Sequence, residues 1–344
     1  MERRTSLNAL FAWAIAGAAA LTALIAVTAP ALSRFYPLLP DKGPSWYFWQ
    51  LPEPRAAARA SAWILYALHQ ASLWYLAYRF RKEADHPDRA SRLNAAALAL
   101  NGLFVLLHIA QTQLFYDGLA QDVPVWTSQG SVIVMLVIML YTLSPRRGLI
   151  LGLKPPFRAR ALAWVRSWHG FYISWAICYT FWFHPTEGDY GLLTGFFYMF
   201  LLFIQFSFAR TRLHVAIGWL TVLETAVALH GPAIAIQKAR SGNEGDVTGP
   251  GIWIMFATGF LFMLAFTGQY GFKLKPLARA AVFASYAALV AGLFAWRGFD
   301  RIFEITFIPV ALYGGAIAMA LVAGLWARIF PGRADTLIRP GESL

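Results

Sequence analysis

Four histidines stand in a pattern that could bind iron. His169 follows Arg166 by three residues and His214 follows Arg212 by two, whereas His184 and His230 each follow the same arginines by 18. If each pair belongs to one helix, and the two helices run in the same direction, the imidazoles form two levels, one near each membrane surface. Neutral imidazole is a common axial ligand, and two stacked pairs are how a membrane cytochrome holds b haem. A separation of 15 leaves His169 and His184 about 60° apart around an ideal helix, but 16 leaves His214 and His230 about 160° apart. One haem on His169 and His214 therefore asks less of the backbone than two. A second, on His184 and His230, requires a distorted helix near Pro232.

Glu224 is the second candidate, because it is the one acid inside an apolar run and no Lys or Arg sits in the middle of any run to neutralise it. A carboxylate in hydrocarbon costs several kcal/mol unless it is protonated or paired. His69 and His108 lie at comparable depth on other runs and are the imidazoles expected to hold it. Glu224, His69 and His108 together have the residue types that take up and release protons. The bland alternatives are a neutral, hydrogen-bonded Glu224 and histidines that are packed or interfacial. At the outer level His184, Glu187, Asp189, His230, Asp117 and Asp122 could gather into a metal or substrate site, although their spacing matches no standard ligand motif. No Walker loop, Rossmann glycine pattern, HExxH or GxSxG is present.

These residues are carried by a very apolar chain. Of 344 residues, 58% are hydrophobic, 16% aromatic and only 13% charged, with a mean hydropathy of +0.52. Such a balance excludes an ordinary soluble domain and predicts an all-α integral membrane protein. Ten runs can each cross about 30 Å of hydrocarbon, near 7–29, 60–79, 93–115, 126–144, 161–183, 191–209, 213–236, 251–271, 277–296 and 305–327. With both termini in the cytoplasm, 21 of the 29 Lys and Arg fall on the inner side and ten of the 17 acids on the outer side. The net charge of +12 is thus a topology signal, and no aromatic-interleaved basic stripe points to nucleic acid. One transmembrane domain accounts for 1–344, with 7–29 read as an uncleaved first helix. The external segment 30–59, rich in Pro and aromatic residues, is expected to lie in the interface as a belt or a lid. Asn94, Asn101 and His108 recur every seven residues, with Thr112 close to the same line. They predict a polar stripe facing an interior shared by helices 2, 3, 5, 6 and 7.

Residues 164–232 resemble the ferric-reductase-like family of transmembrane b-type cytochromes. The resemblance rests on His214-Val-Ala-Ile-Gly218 continuing to Leu229-His230-Gly231. It implies haem b held by His169, His214, His184 and His230, and a membrane electron-transfer or assembly partner, since no flavin or nicotinamide domain is present. Residues 4–15 more faintly resemble the first helix of the ten-helix acyltransferase-3 family, with Asn8 and Phe11 where that family has an acid and an arginine. Three readings follow for a protein of the bacterial inner membrane: electron transfer through haem, proton-coupled transport of a small molecule or lipid using Glu224, and acyl transfer.

Overall fold

A computed structural model describes residues 6–40, 47–240 and 252–330. Among these, ten α-helices follow one another without a strand: α1 Leu7–Thr28, α2 Ala56–Lys82, α3 Arg92–Phe115, α4 Val125–Arg147, α5 Ala159–Phe183, α6 Tyr190–Ser207, α7 Ile217–Arg240, α8 Ile252–Phe266, α9 Pro276–Arg297 and α10 Phe307–Ile329. Eight segments are long and apolar enough to cross a membrane. The protein is therefore an all-α polytopic membrane protein, and the lipid bilayer is its solvent. Helices α2 and α5 are as long but less apolar. Their polar content is the first sign of where chemistry can sit.

The helices group into two compact units. Unit 1 comprises residues 1–132, 171–216 and 236–249, and unit 2 comprises 133–170, 217–235 and 250–344. In unit 1, α1 packs on α3 and α6, and α2 lies along α3. An aromatic cluster of Phe181, Phe196, Phe200 and Phe203, with edge-to-face contacts centred on Phe181, fills the space between α5 and α6. In unit 2, α8 packs on α9 and α10. Gly259 and Gly315 bring α10 close to α8 and α4, since a Cβ at either position would press on Ile308 or Val137.

Among the helix boundaries that differ from the sequence expectation, two have clear local causes. Helix α4 continues beyond the expected end at 144, although Pro145 has no N–H to offer the carbonyl of Tyr141. The Ser144 hydroxyl donates to that carbonyl at 2.8 Å and replaces the missing bond, so the helix reaches Arg147. Helix α7 starts at Ile217, not 213, so His214 lies outside it. The chain between α6 and α7 gives its backbone groups to the α2–α3 loop instead of to a helical turn. His86 N–H donates to the Arg210 carbonyl at 2.9 Å, and Arg212 N–H donates to the Pro87 carbonyl at 3.0 Å. Arg210 adopts a left-handed backbone with φ 68°, and its guanidinium binds the Phe80 carbonyl and Asp85.

The described residues of the 30–59 segment, 30–40 and 47–59, pack as a cap within unit 1. Helix α1 runs into a 3-10 stretch, Ala29–Phe35, and Leu32, Phe35, Leu51 and Tyr116 form one buried cluster. Tyr47 and Trp49 are buried as well. Ser45 and Ser241, the natural external positions for labels, lie outside the described residues, as do Arg3, Arg4, Lys42, Arg333 and Arg339. Orientation can be tested at exposed described positions, because the one native cysteine, Cys178, is buried. With the positive side inside, Glu53→Cys should react with an impermeant maleimide on intact cells, and Asp88→Cys only after permeabilisation. The reverse pattern would turn the topology over.

Candidate functional site

The α3 stripe is real and buried. Asn94, Asn101, His108 and Thr112 all turn into unit 1. Their partners form a directed chain. Trp182 Nε1–H donates to His69 Nδ1 at 3.2 Å, His69 Nε2–H donates to Asn101 Oδ1 at 3.1 Å, and Asn101 Nδ2–H donates to the Ser207 hydroxyl at 3.1 Å. Ser207 passes its own proton to the Phe203 carbonyl at 2.8 Å. This order fixes His69 as a neutral ring with its hydrogen on Nε2. Asn94 closes the inner end by donating to the Ser207 and Ala209 carbonyls, and Thr112 the outer end by accepting from Thr186 N–H. His108 is enclosed by rings, stacked on Trp182 with centroids 4.2 Å apart and edge-on to Phe181, and both its nitrogens are buried without a hydrogen bond.

His69 and His108 belong to unit 1 and Glu224 to unit 2. Within unit 2 Glu224 is held by Arg147, through Nη2 and Oε1, with no exposed surface on the arginine side chain and 10% on the glutamate. The sequence reading placed no basic group there because it ended α4 before Pro145. Glu224 sits seven residues into α7, about 10 Å from its start. Arg147 Nη1 also donates to the Gly148 carbonyl at 2.9 Å. The pair is joined at one point only: Arg147 Nε and Glu224 Oε2 are both buried without a hydrogen bond.

Irregular backbone surrounds this pair. Helix α8 stops at Phe266 and continues as a 3-10 turn, Gly268–Gly271, while the chain after Arg147 folds into a small bridge between Ile150 and Leu153. Thr267 ties the two together by donating to the Leu149 carbonyl at 2.7 Å, and Tyr313 of α10 lies 2.6 Å from the same hydroxyl and within electrostatic reach of both Arg147 and Glu224. Gly271 has to be glycine, since a Cβ there would overlap the Thr221 hydroxyl and touch Arg147 Cδ at 3.5 Å. Non-helical backbone at membrane depth is tolerated where it is buried in protein or lines a polar cavity.

The four histidines of the iron pattern do not assemble in either unit. His184 and His214 belong to unit 1, at opposite ends of α6, and His169 and His230 to unit 2. His214 exchanges two hydrogen bonds with Gln205: its Nδ1–H donates to the Gln205 carbonyl at 2.9 Å, and Gln205 Nε2–H returns one to the His214 carbonyl at 2.9 Å. His169 Nδ1 faces the Arg166 carbonyl. His184 sits among Tyr47, Trp49 and Phe183. Asn8 and Phe11, at the acyltransferase-like start, serve packing: Asn8 accepts from Arg212 at 2.7 Å and Phe11 lies edge-on to Phe208.

The outer carboxylates are separately employed, and among the described residues no three His, Cys, Asp or Glu side chains gather to hold a metal ion. Glu187 accepts from Tyr36 at 2.9 Å and Tyr116 at 2.7 Å, Asp189 from Trp49 at 2.9 Å, and Asp122 is held by Arg59 and Trp63. Asp117 accepts from Leu51 N–H at 3.2 Å and Gly118 N–H at 2.8 Å. These carboxylates pin the cap, through Tyr36, Trp49 and Leu51, onto the ends of α3 and α5. Burial raises Glu187 and Asp189 above the usual carboxylate range, and it raises Asp117 to about 6 against the pull of its backbone donors.

Two outcomes are expected. Because Asp117 binds its proton more tightly when folded, its share of stability is complete below the unfolded value of about 4 and is lost as pH rises through about 6, a change of up to about 3 kcal/mol. Melting temperatures should show wild type losing ground to Asp117→Asn over that window. A gap that stays constant with pH would refute the assignment. At the ion pair, Arg147→Leu or Glu224→Leu alone strands a buried charge and should cost about 3–5 kcal/mol, whereas the two together should recover most of it. Additive losses in that thermal-unfolding cycle would mean the two side chains act independently.

No protein-family model, curated protein or solved structure matches this chain.

Proposed function

We propose that the chain is a proton-coupled carrier of a small molecule, working in the bacterial inner membrane with Glu224 as the coupling carboxylate. The observation that carries this reading is the one-point Arg147–Glu224 pair, buried at the end of α4 and close to the 3-10 turn that follows α8, with an unused donor on one partner and an unused acceptor on the other. Ionisable groups inside membrane helices are expensive and are found chiefly where ions or substrates move.

In this reading a proton arriving on Glu224 neutralises the carboxylate and releases Arg147, which is then an unpaired buried cation. That penalty, several kcal/mol, biases the 3-10 turn and the Leu149 bridge towards a second arrangement. Loss of the proton restores the ion pair. The neutral, fully engaged His69 of unit 1 is part of a rigid scaffold and takes no part in this exchange.

Reconstitution provides the test. Liposomes containing the purified protein and a trapped pH-sensitive dye are exposed to a panel of small solutes, and uptake of labelled solute is followed in parallel. At least one solute should change the internal pH as it enters. Glu224→Gln should abolish that change yet retain exchange of labelled for unlabelled solute, since exchange needs no net proton movement. Solute entry without any proton movement in wild type, or no entry across the panel, would overturn the reading.

A further inference from the structure

The geometry of the ion pair also points to what is carried: we infer that Arg147 binds a small, planar, monovalent oxyanion, of the carboxylate or nitrate type, when Glu224 is protonated. This rests on the carrier reading and specifies the ligand of the same site.

Charge balance comes first. Guanidinium keeps its proton under all physiological conditions, so protonating Glu224 leaves one uncompensated positive charge at Arg147. Among the described residues of unit 2, Arg147 from α4 lies against Glu224 and Tyr313 from α10 lies within electrostatic reach of it. The 3-10 turn contributes Tyr270, which lies under the Arg279 guanidinium and against Gly152. None of these supplies a replacement anion. A neutral solute would leave Arg147 unpaired in a poorly solvated site, a cation would be repelled, and a dianion would leave a surplus negative charge. Only a monoanion returns the site to neutrality, which is the state of lowest desolvation cost.

Shape comes second. Nε and Nη2 form one edge of the guanidinium, a two-donor fork that matches two oxygens of a planar oxyanion. Glu224 occupies only Nη2 of that edge, and Nε is already buried and unused. Departure of a protonated Glu224 therefore opens a complete fork at the loss of one hydrogen bond. Arg147 cannot turn away to solvent, because Nη1 is anchored on the Gly148 carbonyl and its stem is packed against Gly271. The bookkeeping is closed: the site passes from Arg147 cation with Glu224 anion to Arg147 cation, bound anion and neutral Glu224. One proton and one anion enter together and no net charge moves.

Binding is tested by thermal unfolding of the purified full-length protein in nanodiscs, titrated with sodium nitrate and sodium lactate, with chloride and sulfate as controls of other shape and charge. Nitrate and lactate should stabilise the wild type, with an affinity that weakens as pH rises because one proton is taken up with each anion. In Glu224→Gln the stabilisation should persist with no pH dependence, and in Arg147→Gln it should vanish. If Glu224→Gln does not fold, the pH dependence of the wild type decides alone. Stabilisation that is independent of pH, equal for sulfate and nitrate, or absent overturns the inference. The two readings fail separately. Proton-linked uptake of a neutral solute with no anion binding removes the anion and keeps the carrier, whereas pH-dependent nitrate binding with no flux in liposomes keeps the site and removes the carrier.

Discussion

Hydrocarbon offers no water to a stranded donor or acceptor, and this condition governs how the chain uses its few polar residues. A group drawn into the bundle needs its partner from another part of the same molecule, and both nitrogens of His108, Arg147 Nε and Glu224 Oε2 go without one. In unit 1 the requirement is met by a one-way sequence of donors from Trp182 through His69 and Asn101 to Ser207, which locks α2, α3, α5 and α6 in register. In unit 2 it is met by a full ion pair. The difference matters, because a neutral chain with every member engaged has nothing to release, while an ion pair joined at one point leaves a donor and an acceptor unused.

The two solutions also differ in the backbone beneath them. The polar stripe of unit 1 stands on regular helices, with side chains seven residues apart on one face. The ion pair of unit 2 stands where α4 ends, where α8 gives way to a 3-10 turn, and where Gly271 lets α7 approach. A regular helix has one way to place its side chains. A segment with turns and a glycine contact has more.

Much of this was legible in the amino-acid order. Hydropathy placed all ten helices, because an apolar run of that length has one stable arrangement in lipid. The seven-residue interval from Asn94 to His108 marked an inward face correctly. Glu224 stood out by type alone. Its partner did not, since Pro145-Arg-Arg-Gly148 reads as a helix stop followed by a cytoplasmic basic cluster. The local signal was Ser144, a hydroxyl one residue before a proline and three after the carbonyl that the proline orphans. His214 was misplaced for a different reason. Whether 211–216 coils into α7 depends on backbone hydrogen bonds with the α2–α3 loop, at His86 and Pro87, far upstream in the chain. Composition likewise could not tell an aromatic belt from the packed cap around Tyr47 and Trp49, since both use the same residues.

The seam between the α2–α3 loop and residues 210–212 has a consequence for biogenesis. That loop leaves the ribosome long before Arg210 is synthesised, so its His86 N–H, its Pro87 carbonyl and the Phe80 carbonyl at the end of α2 must wait in the aqueous phase for partners that arrive only after α6. Helices α2 and α3 can enter the bilayer as a hairpin, yet their cytoplasmic ends gain a fixed position only when α6 has been inserted. Unit 1 is therefore completed by its latest-made piece, and a chain arrested before that point would expose an open loop to cytoplasmic proteases.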